Sequence, residues 1–190
     1  MTANKNNKTK GAKGYIVKVI IGTFFVAALL AAASNVLMDG QTPPFWSILA
    51  LVVVIAIGIL FDIIGVAVTA AGEAPFHAKA ARRIPGAKQA LNLLRRADRV
   101  ANICNDVVGD ICGTVSGGFG AALALMLFGS GDVLGGIIIT GLVSALTVGG
   151  KAMGKGFAIR NADEIIWQVA RILSWREMLQ KKNDANGKDA

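Results

Sequence analysis

Asp62, Asn105, Asp106 and Asp110 place oxygen-bearing side chains inside stretches of sequence that are otherwise almost wholly apolar. Carboxylate and carboxamide oxygens are the ligands that hard cations such as Mg²⁺ take. A charge at membrane depth costs roughly 2.5–3.5 kcal/mol on insertion scales, so these carboxylates are expected to have partners or to serve an ion. Lys151 and Lys155 bring positive charge into another apolar stretch. Other chemistry is poorly served. No serine, cysteine or histidine arrangement suits nucleophilic catalysis, and the glycine-rich runs lie in apolar helices, where they read as packing; no enzyme is expected. Cys104 and Cys112 stand eight residues apart on one helix, a rise of about 12 Å that no intrahelical disulfide spans. His77 is the only histidine, so no zinc-type cluster is expected.

The elements that must position these residues are helices in a membrane. Of 190 residues, 54% are hydrophobic, and four segments of about 20 or more mostly apolar residues predict an all-α, polytopic membrane helix bundle. Residues 1–14, with Lys5, Lys8, Lys10 and Lys13, read as a disordered cytoplasmic tail. Residues 15–38 form an extra N-terminal transmembrane helix, or a signal peptide whose cleavage region is Ala31-Ala32-Ala33-Ser34. After a short loop at 39–44, the second segment covers 45–71. The third runs from Val100 to Phe128, turns at Gly129-Ser130-Gly131-Asp132, and leads into the fourth, Val133 to about Ala158. Asn161-Ala162-Asp163-Glu164 resembles a capping box opening an amphipathic, interfacial helix over 161–180, and 181–190 is a polar tail.

Residues 72–100 interrupt the hydrophobic pattern. Basic residues alternate there with alanine and leucine, and Pro85-Gly86 divides two short helices. Ala87, Ala90, Leu91, Leu94 and Ala97 form an apolar stripe, so the pair is expected to lie on the cytoplasmic surface against anionic lipid. The net charge of +8 lies mainly beside the hydrophobic segments. That placement argues against a nucleic-acid partner and predicts a multi-pass protein of the cell membrane with both termini cytoplasmic.

At 3.6 residues per turn, Asn102, Asp106, Asp110, Gly113 and Gly117 share one face, and Gly58, Asp62, Gly65 and Thr69 another. Thr140, Ser144, Thr147, Lys151 and Lys155 form a third polar face. If the last two segments make a tight hairpin, residues at equal depth have numbers totalling about 261. Asp110 then faces Lys151, Asp106 faces Lys155, Thr114 faces Thr147 and Gly117 faces Ser144. Gly109, Gly113 and Gly117 repeat a small-residue spacing that lets helices approach closely. Asp62, Asp110 and Lys151 are expected at similar depth, as one cluster in the inner half of the membrane.

Residues 45–165 resemble the transmembrane domain of the CNNM/CorC group of magnesium-transport proteins. That domain has three membrane helices, with a belt of short juxtamembrane helices after the first. Its G-E-x-x-P-K motif, with A and N following, is matched at Gly150, Lys155, Ala158 and Asn161 in G-K-A-M-G-K-G-F-A-I-R-N. The family's F-S corresponds to Phe61-Asp62. Its G-N-x-x-x-N falls on Cys104–Asp110, giving either Asn105 with Gly109 or Asp106 with Asp110, and its G-x-x-x-A matches Gly86 and Ala90. The resemblance implies a site for dehydrated Mg²⁺ and a homodimer. It also marks departures: aspartate for serine at 62, lysine for glutamate at 151, glycine for proline at 154, and no CBS module, so a separate regulatory subunit is a possible partner.

Two functions follow as expectations. One is a divalent-cation (Mg²⁺) transporter or its membrane-domain subunit, with Asp62, Asn105, Asp106 and Asp110 as ligands and Lys151 and Lys155 as counter-ions or gates. The other is a scaffold or binding protein on a degenerate transporter fold, whose buried Asp–Lys pairs are structural.

Overall fold

In a computed structural model, residues 17, 19–29, 32, 43–129 and 131–186 are described, with side chains through 175. The described residues are helical, and no strand occurs among them. A first apolar helix, α1, covers Val19–Leu29. It falls inside the predicted 15–38 segment; most of that segment's remainder, the 1–14 tail and the end of the 181–190 tail lie outside the described residues.

Among the described residues, three helices are long and apolar enough to cross a membrane. The first, α2, covers Pro44–Ala70; proline at its start has no N–H to leave unsatisfied and a φ already helical. The second crossing, Ala97–Phe128, is continuous but has three parts: α5 (Ala97–Asn102), a π-helical segment (Ile103–Gly109) and α6 (Asp110–Phe128). The third is α7, Val133–Arg160. Gly129, at φ +76°, ends α6 in a conformation that disfavours other residues, and the Asp132 carboxylate accepts the Gly135 N–H to cap α7. At about 1.5 Å per residue, each crossing exceeds the roughly 30 Å hydrocarbon core.

The chain divides into two units. The first comprises Met1–Gly58 and Val107–Val148. Here glycines admit their neighbours: a Cβ at Gly58 would lie 2.9 Å from the Cβ of Cys112, and one at Gly120 would lie 3.1 Å from Val143. The Gly120–Val143 contact fits the predicted α6–α7 hairpin to within two residues. It brings a different face of α7 inward, however. Val143 is buried while Thr140 and Ser144 are exposed, and the Thr147 hydroxyl donates to the Val143 carbonyl of its own helix. The expected meeting of polar faces at Thr114–Thr147 and Gly117–Ser144 is therefore replaced by an apolar seam.

The second unit comprises Ile59–Asp106 and Gly149–Ala190. Its core gathers Ala67, Val68, Phe76, Ala90, Leu94, Ala158, Ile166 and Ala170. Two short helices, α3 (Ala74–Ala81) and α4 (Ala87–Leu94), occupy the predicted belt, and α8 (Ala162–Asn186) packs along α4. Ala87, Ala90 and Leu94 of the predicted stripe are buried. The apolar face of α4 is thus covered largely by protein. The capping box also differs from expectation. The Asn161 side chain donates back to the Phe157 carbonyl, Glu164 accepts from Gln168, and the Asp163 carboxylate instead accepts the Gly72 N–H at 3.0 Å.

Candidate functional site

Within the second unit, α2 and α7 run side by side in the same direction. A Cβ at Gly150 would overlap the Ile59 side chain, and one at Gly154 would come within 2.9 Å of Ile63. The Gly72–Asp163 hydrogen bond extends the same offset of 91 residues. Two missing side chains on α7 therefore bring its backbone against α2 over one turn, and Lys151 and Asp62 both fall within that turn. They sit at nearly the same level, as the depth argument predicts. Lys151 is half-buried and has a partner.

Asp62 is 4% exposed, and its Oδ2 is buried without a hydrogen-bond partner. One turn further along α2, Gly65 leaves a gap that the Asn105 carboxamide fills; a Cβ at Gly65 would overlap that carboxamide. Asn105 Oδ1 is likewise buried and unpartnered. Positions three apart on a helix share a face, so the two bare oxygens lie within about one turn of each other along α2. Leaving a buried acceptor unpaired costs about 1–3 kcal/mol, and more when it is charged. Each of these acceptors, on or against the same face of α2, is a buried oxygen that a cation would stabilise.

Asn105 comes from the π-helical segment. One extra residue per hydrogen-bonded ring widens the helix, and such segments recur at functional sites. The wider ring also breaks the 3.6-residue register on which a common face from Asn102 to Gly117 was expected.

The remaining expected ligands are Asp106 and Asp110. Asp106 accepts a hydrogen bond from Asn102, one turn earlier, and Lys155 is exposed, so the expected Asp106–Lys155 pair is replaced by a contact within one helix. Asp110 belongs to the first unit and has a partner. Among the described residues, no three His, Cys, Asp or Glu side chains stand together to hold a metal ion. The described residues whose buried side-chain oxygens are left without a hydrogen-bond partner are Asp62 and Asn105. The glycine expectation also shifts. Positions 113 and 117 have open space where a Cβ would go, and Gly109 is buried with its carbonyl oxygen 4.0 Å from a Cβ at Gly58. The tight contacts are at Gly58, Gly65, Gly120, Gly135, Gly150 and Gly154. Gly65 already shares the Asp62 face in the sequence, but its role as a socket for Asn105 has no sequence signal of its own.

In comparisons with protein-family models, with curated proteins and with solved structures, the chain matches none.

Proposed function

We propose that this chain is an integral membrane protein that binds and passes a divalent cation, Mg²⁺ foremost, as a transporter or the membrane half of one, with both termini cytoplasmic. The observation that carries this reading is the pair of buried, unpartnered oxygens, Asp62 Oδ2 and Asn105 Oδ1, inside membrane-length helices. Intramembrane ionisable groups face a function by default, because lipid offers them nothing. Mg²⁺ keeps several waters and is commonly held by one or two carboxylates, so Asp62 with the Asn105 carbonyl supplies a sufficient protein share. Lys151, level with Asp62, acts as the counter-ion: it offsets the carboxylate when the site is empty and weakens cation binding when it is full. Weak binding suits passage.

A second reading has its own support. The absence of a three-residue metal cluster among the described residues, and the interlocking of Gly150 and Gly154 with Ile59 and Ile63, favour a scaffold whose polar residues only hold helices together. One measurement separates them. Thermal unfolding of the purified protein is followed as Mg²⁺, Na⁺ or K⁺ is raised, beside ²⁸Mg flux into vesicles. Under the transport reading Mg²⁺ stabilises the native protein, by about 2.7 kcal/mol at a hundredfold excess over Kd, and Asp62→Asn abolishes both effects. Unfolding that ignores every cation, with no flux, leaves the scaffold.

A further inference from the structure

We infer that the basic surface formed by α3, α4 and the turn between them binds the headgroups of anionic lipid, by charge alone and without burying an apolar face. Between Glu73 and Asp98 the chain has no acidic residue but carries Lys79, Arg82, Arg83, Lys88, Arg95 and Arg96. α3, which opens this stretch, begins four residues after the end of α2, Ala70, so the basic residues lie beside a helix of membrane length. Lys79 is held away, its ammonium 3.9 Å from the Trp167 ring centroid. The other five are exposed.

Arg83 adopts φ +55°, rare for a side chain of its size, within the turn that presents Arg82, Arg83 and Ile84 outward. Arg171 of α8 backs the same turn through Gly86. The nearby acids Glu73, Asp163 and Glu164 hydrogen-bond to His77, the Gly72 N–H and Gln168; they keep their charge but are outnumbered by the exposed bases. Asp98 stands in the first turn of α5, which favours an anion there. The patch is therefore a concentrated positive field beside a membrane helix, an arrangement that attracts acidic headgroups. Because α8 covers the buried stripe of α4, insertion of that face into the bilayer is not available to add to it.

The test uses the full chain in phosphatidylcholine bilayers containing phosphatidylglycerol, with spin-labelled lipids reporting which headgroup collects around the protein. The wild type is expected to concentrate the anionic label at least about fivefold over the neutral one, the worth of a single basic residue near the surface. Arg82→Gln, Arg83→Gln, Lys88→Gln, Arg95→Gln and Arg96→Gln together should bring the ratio close to one. So should about 1 M salt, where the Debye length is about 3 Å. Replacing the four arginines by lysine should keep the preference, as should excess inorganic phosphate at constant ionic strength. The proposal is overturned by a wild type without preference, by a preference that survives the glutamines or the salt, by its loss in a folded lysine variant, or by phosphate abolishing it, which would indicate a soluble-phosphate site. None of these readouts depends on the cation site.

Discussion

The Asn105 carboxamide occupies the space that a side chain at Gly65 would need. Gly65→Ala must therefore displace Asn105 from α2. Overpacking of this kind costs about 1–3 kcal/mol, and here it also separates the two bare oxygens. Thermal unfolding should fall by that amount, and any Mg²⁺-dependent stabilisation should disappear with it. Gly65→Ala/Asn105→Ser should regain most of the stability without regaining the cation response.

Asn105→Asp tests what the carboxamide oxygen is for. A second carboxylate beside Asp62 strengthens an oxygen site for a divalent ion and repels Asp62 when the ion is absent. The variant should be less stable than wild type without divalent cations and should gain more from Mg²⁺. Titration calorimetry should show at least about a tenfold lower Kd, equivalent to about 1.4 kcal/mol. Loss of stability that Mg²⁺ does not restore would assign the Asn105 amide a purely structural part.

Three helices of membrane length, the divided belt and the near level of Asp62 with Lys151 are legible in the sequence; of the expected 15–38 crossing, the described part is the shorter helix Val19–Leu29. The legible features depend on long apolar runs, on Pro85-Gly86, and on distances counted from segment ends, which a regular rise of 1.5 Å preserves. Rotation about the helix axis is another matter. Each residue turns a helix by about 100°, so the two-residue difference that sets Val143 against Gly120 moves Thr140 and Ser144 off the seam. The π-helical segment is still less legible, since nothing in I-C-N-D-V-V-G distinguishes a ring of one more residue from an α-helix. Glycine spacing shows where helices can approach, not where they do. Gly113 and Gly117 keep open space, while Gly150 and Gly154 receive Ile59 and Ile63. The capping box fails for a related reason: Asn161 finds the Phe157 carbonyl one turn back, and Asp163 finds Gly72 across the unit, a long-range partner no local pattern announces.

The contact between α7 and α2 can be tested alone. A Cβ at Gly154 would lie 2.9 Å from Ile63 Cγ1, too close without a shift of one helix. Gly154→Ala should destabilise by about 1–3 kcal/mol. Ile63→Ala removes the atoms it meets and should destabilise on its own through the cavity it leaves. In the double variant the losses should fall short of additivity by about 0.5–3 kcal/mol, the coupling expected of residues in contact. Additive losses would mean that the two helices do not meet at this level.

Lys151→Glu separates the two readings of the site most sharply. Gly150 and Gly154 fix Lys151 near the level of Asp62. If Lys151 is a counter-ion that holds cation affinity down, the glutamate turns a fixed positive charge into a fixed negative one beside Asp62. Mg²⁺ affinity should then rise by at least about tenfold, or 1.4 kcal/mol. The variant should unfold more readily without divalent cations, because two carboxylates would share one low-dielectric level. Mg²⁺ should restore the lost stability, and Na⁺ at the same ionic strength should not. Lys151→Met gives the neutral comparison: it removes the competing charge without adding a ligand, so its Mg²⁺ affinity should fall between wild type and the glutamate variant. If Lys151 only holds helices together, both variants should lose stability and neither should respond to any cation.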